Sequence, residues 1–176
     1  MKFYFFKPLP PSDMDLTGYQ PFIKRQWFRK HFMLFVYSLQ VVLVVLSVLF
    51  GVWDFSNWIM KALIFCAVYL IHEILHVLVI CRIGNVSLTH SGIFFWLHSD
   101  AVMSKMRFWL FMTLPFLALS VLPWGIAFWA KGVAYEMLNF IAWVNAIIAG
   151  SDIINSVLIM MKPAKAKFYR GYYTIS

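Results

Sequence analysis

Four apolar runs dominate the chain, near Met33–Trp53, Trp58–Ile83, Phe108–Ala130 and Met137–Met161. Each can cross the roughly 30 Å hydrocarbon layer of a bilayer as a helix, which takes about 20 residues. A helix is the natural form for such a run in lipid, because its backbone N–H and C=O groups are satisfied within the segment. With 62% of residues hydrophobic and only 12% charged, the chain is expected in lipid, and an ordinary soluble domain is excluded. The predicted fold is an all-α membrane protein with four transmembrane helices. One membrane domain, 33–161, is flanked by an N-terminal arm, 1–32, and a basic tail, 162–176.

Charge placement orients these spans. Lys2, Lys7, Lys24, Arg25, Arg29 and Lys30 lie in the arm; Arg82, Lys105 and Arg107 lie between spans 2 and 3; Lys162, Lys165, Lys167 and Arg170 lie in the tail. The other two connections carry only Lys61 and Lys131 as cations. The positive-inside rule then puts both termini and the loop after span 2 in the cytoplasm. The net charge of +8 reads as topology and attraction to anionic membrane lipid, and no base-stacking module or phosphate loop points to nucleic acid. The first apolar run begins only after about thirty polar and aromatic residues and has no A-x-A-like end, so it is expected to stay as a span. Cys66 and Cys81 stand too far apart on one helix to pair, and are expected to be reduced packing residues.

Within span 2, His72-Glu73-Ile74-Leu75-His76 forms an H-E-x-x-H pattern. Histidines four apart on a helix project from one face and can grip one metal ion, while Glu73 stands about 100° round from His72, beside that ion. Such a glutamate can take a proton from water and pass it to a leaving amine. Ionisable side chains at bilayer depth cost roughly 2.5–3.5 kcal/mol each on insertion scales, so three within five residues call for a compensating function. The competing reading is a chance run, each polar group satisfied by a neighbouring helix. Entering near Trp58, span 2 carries His72 and His76 ~21 and ~27 Å along its axis, into the cytoplasmic half of the membrane.

The loop that follows alternates apolar and polar at Val86-Ser87-Leu88-Thr89, then has Gly92 and the apolar run Ile93–Leu97. A short β-hairpin between helices 2 and 3 is predicted, able to pair its edge with an extended peptide; a plain interfacial loop is the alternative. His90, His98 and Asp100 sit here; surface-loop roles are expected for each, with reach to a metal as the other reading. Pro115 and Pro123 are expected to bend span 3. Span 4 brings Asn145, Asp152 and Asn155, whose spacings of seven and three put them on one helical face, expected to turn inward, away from lipid. Two spans running the same way would carry His72, His76 and Asp152 to one depth, a donor set suited to zinc with a fourth position open. A polar cluster without metal is the other reading of Asp152.

HEILH at 72–76 together with N-A-I-I-A-G-S-D at 145–152 resembles the zincin-peptidase family of small bacterial membrane proteins and, more widely, the intramembrane site-2 protease class of zinc peptidases. The resemblance covers roughly residues 58–161. It implies Zn2+ on His72, His76 and Asp152, Glu73 as catalytic base, and Asn145 as a substrate-positioning residue. The site-2 pattern has a proline after its asparagine and Leu-Asp-Gly at its aspartate; here no proline follows Asn145, and Ser151 and Ile153 flank Asp152. The implied activity is hydrolysis of a peptide bond in a membrane-associated peptide or protein near the cytoplasmic face of a bacterial plasma membrane. A catalytically silent zinc-containing scaffold or chaperone is the alternative. A haem carrier fits worse, because two histidines on one helix face cannot ligate opposite sides of one haem. Substrate identity, cleavage position and oligomeric state are not encoded in these patterns.

Overall fold

The computed structural model describes residues 3–5, 14–54, 57–81, 83–91 and 94–175. In chain order the elements are β1 (Phe3–Phe5), β2 (Gln20–Pro21), α1 (Gln26–Lys30), α2 (Phe32–Leu49), a 3-10 turn at Val52–Asp54, α3 (Trp58–Ile80), β3 (Val86–Ser91), β4 (Phe94–Ser99) and β5 (Met103–Ser104). There follow α4 (Lys105–Phe116), a π-helical turn at Leu117–Val121, α5 (Leu122–Ala127), α6 (Val133–Ile148), α7 (Gly150–Met160), β6 (Ala166–Tyr169) and β7 (Tyr172–Ile175). The helices Phe32–Leu49, Trp58–Ile80 and the composite Lys105–Ala127 are each long and apolar enough to span a membrane. The helices α6 and α7 meet the same test only when taken together, and they are bent by 65° at their junction, so the spans number three, or four if this pair counts as one.

Local chemistry sets these boundaries. Asn57 Oδ1 accepts from the N–H of Met60 and starts α3, and Ser104 Oγ does the same for Arg107 at the head of α4. At the far end of α7 the Lys105 ammonium donates to the Met160 and Lys162 carbonyls, a cation where the helix dipole is negative. The helices show exposed apolar sides: Leu63, Leu70, Ile74 and Leu78 of α3 are exposed, as are Val41, Val45 and Val48 of α2. Facing inward along α3 run Val68, His72, His76 and Ile80, four residues apart, so half of the buried stripe is histidine. Apolar clusters enclose that stripe at both ends. Val52, Val68, Phe140 and Val144 pack at one end; Ile80, Val86, Ala101, Met103 and Phe111 pack at the other.

The predicted hairpin is present as β3 and β4, antiparallel from Val86↔Ser99 to Ser91↔Phe94. The all-α description nevertheless needs correction, because two small sheets decorate the helices. The segment β1 adds to β3 in parallel, giving the order β1-β3-β4. A second sheet, β2-β7-β6-β5, collects the arm, the strand before α4 and the tail. Its tight turn is made by Arg170 and Gly171, both with positive φ, as a two-residue hairpin requires. Phe22, Ile159, Ala166, Phe168 and Tyr173 form the core that fastens this sheet to α7.

Span 4 also departs from expectation. Asn145 and Asp152 lie on opposite sides of a break at Ala149 rather than on one continuous helical face. The broken ladder is tended by span 1, where Gln40 Nε2 donates to the Ile147 carbonyl at 3.0 Å. The same side chain lies so close to Gly150 that an added Cβ would stand 2.8 Å from Gln40 Cγ. Only glycine allows α2 and α7 to meet there. Gly150→Ala is expected to destabilise the protein by about 1–3 kcal/mol through overpacking, read as a lower midpoint of thermal unfolding in detergent micelles.

Candidate metal centre

Three buried side chains from two spans converge between the apolar clusters. His72 and His76 come from the inward stripe of α3; Asp152 comes from the first turn of α7, where the helix N-terminus favours an anion. Their exposures are 3%, 5% and 7%. His72 Nε2 lies 3.1 Å from Asp152 Oδ2, His76 Nε2 lies 3.2 Å from the same oxygen, and the two Nε2 atoms are 3.1 Å apart. Among the described residues this is the group of His, Cys, Asp and Glu side chains able to hold a metal ion. The 65° bend is what aims Asp152 at the histidines of α3.

The hydrogen bonds behind the rings decide what those atoms present to each other. His76 Nδ1 lies 2.7 Å from the Phe111 carbonyl oxygen, which can only accept, so Nδ1 carries the proton. His72 Nδ1 lies 2.9 Å from Asn145 Oδ1. The Asn145 amide is fixed by its other contacts, because Nδ2 donates to the Pro115 carbonyl at 3.1 Å and to Ser120 Oγ at 2.8 Å. The amide oxygen therefore faces His72, whose Nδ1 is the donor. With each neutral ring protonated on Nδ1, each Nε2 offers a bare lone pair toward the other and toward a carboxylate oxygen.

Three acceptors facing one another in a water-poor interior repel unless a cation lies among them. Zinc bonds of about 2.0–2.1 Å at tetrahedral angles place neighbouring ligand atoms about 3.3 Å apart, close to the spacings here. Two imidazoles and one carboxylate also form a normal catalytic zinc set, and hydrogen-bonded far nitrogens are the usual support for metal-bound histidines. The residues fit the ion.

The remaining candidates are placed as follows. Glu73 is half-buried next to His72 on α3, within electrostatic range of His76, His72 and Asp152. Asn145, expected to position substrate, is fully buried, with both amide hydrogens donated to span 3 and its oxygen turned to His72. Asp100 lies away from the centre, its two oxygens taken by the N–H and side-chain amide of Asn85 at 2.6 and 2.8 Å, where they close the base of the hairpin. The side chains of His90 and His98 lie outside the described residues. Sequence reasoning missed Ser120 and the Phe111 carbonyl. A lone serine in an apolar span was the available signal for the first; a backbone carbonyl has no side-chain signature.

Purified wild type is expected to hold about one zinc per chain by elemental analysis, and His76→Ala or Asp152→Ala to hold almost none. Asn145→Ala, which keeps all three ligands, is expected to weaken zinc binding about 10–100-fold in competition with a chromophoric chelator.

No curated protein and no solved structure matches the chain. A family model covers residues 64–167, from within α3 to β6, a stretch that holds Glu73 and all three donors. On that match the chain belongs to the family described as "putative zincin peptidase", and membership implies zinc and supports a metallopeptidase.

Proposed function

We propose that this protein is an integral membrane zinc metallopeptidase of the site-2 protease kind, hydrolysing a peptide bond of a membrane-associated substrate near the cytoplasmic face. One observation carries the reading: three lone-pair donors from two apolar helices meet at 3.1–3.2 Å, with both rings held in the metal-binding tautomer from behind.

His72, His76 and Asp152 would hold the ion, which when bound supplies Lewis acidity, polarising a scissile carbonyl and making water a usable nucleophile near neutral pH. Glu73 takes the proton of the attacking water and returns it to the departing amine nitrogen as the C–N bond breaks. Asn145 and the Phe111 carbonyl keep the imidazoles from turning while this happens. The apolar clusters at either end of the stripe keep bulk solvent away from these charges.

The substrate class follows from where the site sits. Donors buried among membrane-length helices are reached most directly by a chain already in the bilayer or at its surface. Beside α3, β4 has β3 on one edge and no strand on the other among the described residues, an edge to which an extended peptide can add by backbone pairing. The second sheet supports the orientation, because it gathers the arm, the start of α4 and the tail at one end of the bundle. Exposed Lys24, Arg25, Arg29, Lys30, Arg107, Lys165 and Lys167 belong to those segments, and such a basic end belongs on the cytoplasmic side against anionic lipid.

The test is Glu73→Gln in the full chain, reconstituted in phosphatidylethanolamine/phosphatidylglycerol vesicles with a broad panel of single-span peptides. Wild type is expected to cleave members of the panel, and the variant to lose at least ~10²-fold in rate with its zinc content unchanged. Wild-type cleavage by the variant would remove the assigned base. Zinc-loaded wild type that cleaves no peptide would leave a silent zinc scaffold as the better description.

A further inference from the structure

Span 3 contributes no metal ligand among the described residues, yet His76 leans on it directly and His72 through Asn145. In an α-helix the carbonyl of residue 111 would accept from the N–H of residue 115. Residue 115 is proline, which has no N–H. The Phe111 oxygen is left without its α-helical donor, and His76 Nδ1 takes it at 2.7 Å. The carbonyl of this same proline accepts from Asn145 Nδ2 at 3.1 Å, one of the two bonds that turn the amide oxygen toward His72. The other runs from Asn145 Nδ2 to Ser120 Oγ, in the π-helical turn just beyond, and that hydroxyl donates in turn to the Ala142 carbonyl of α6 at 2.9 Å.

We propose that Pro115 is a positioning residue of the metal centre, fixing His76 by the hydrogen it lacks and His72 by the oxygen it offers to Asn145. A kinked helix that was merely tolerated would leave its freed carbonyl to lipid, water or another backbone group. Here that carbonyl is spent on a ligand, and Pro115 itself is buried. Pro123 is the internal comparison. It sits in the same span, is also buried, and also withholds an N–H, but from the Leu119 carbonyl, on which neither histidine leans.

The inference rests on the metal-site reading, and its test reads metal rather than turnover. Zinc affinity of full-length wild type, Pro115→Ala and Pro123→Ala is measured in micelles against a chromophoric chelator, and the cobalt-substituted proteins are compared by their visible spectra. Pro115→Ala restores an N–H that competes for the Phe111 oxygen, so zinc affinity is expected to fall about 10–100-fold with an altered cobalt spectrum, while Pro123→Ala matches wild type. A second measurement needs no variant: in zinc-loaded wild type with 15N-labelled histidine, the rings of His72 and His76 are expected to carry a proton on Nδ1. Equal affinity in Pro115→Ala and wild type overturns the proposal, as do equal losses in both proline variants or an unprotonated Nδ1 on His76. Wild type that binds no zinc removes the metal-site reading and this one together.

Discussion

Bare nitrogen lone pairs and a carboxylate oxygen, pressed to about van der Waals distance where water is scarce, form an arrangement that only a positive charge makes favourable. Much else in the molecule can be understood as the means of holding it. The 65° break in span 4 brings Asp152 round to α3; Gln40 of span 1 satisfies a carbonyl beside the break; Gly150 lets the two helices close on each other. Each ring is secured on its far side, His72 through Asn145 and His76 through the Phe111 carbonyl. All four spans thus serve a centre whose ligands come from two.

Such a centre is expensive in lipid and is built so that few polar atoms are wasted. Asn145 places both hydrogens and its oxygen, and Ser120 both donates and accepts. Leaving one such group unpaired in an apolar interior costs roughly 2–7 kcal/mol. The network therefore stiffens the donors as well as satisfying them, and stiff donors are what a reaction needs when its geometry must be ready before substrate arrives.

The sequence was most informative where chemistry and periodicity coincided. His72 and His76 four apart in an apolar run, and Asp152 as the acid within span 4, were legible because charge in such surroundings has few reasons to be there. The β3–β4 hairpin was legible from alternation at Val86–Thr89 and a glycine. The break at Ala149 was not, since a glycine within a helix signals several things and the contact with Gln40 that selects among them is far away in sequence. The second sheet escaped for a similar reason. Its strands β2 and β5 have two residues each, too short for any period, and depend on partners more than sixty residues distant. The bond from Asn145 to His72 was not legible either, because a resemblance says what residue type is present, not which way its amide turns.

That second sheet also sets an order of events during biosynthesis. Gln20 and Pro21 pair with Tyr173 and Tyr172, so this strand meets its neighbour only after every helix between them has been made. Asp152 is similarly late, arriving after the histidines of α3 have been made. Until α7 docks, the growing chain carries two imidazoles and no Asp152 carboxylate to complete the set. The donor set is in this way completed only after α7 has been made, by the topology alone.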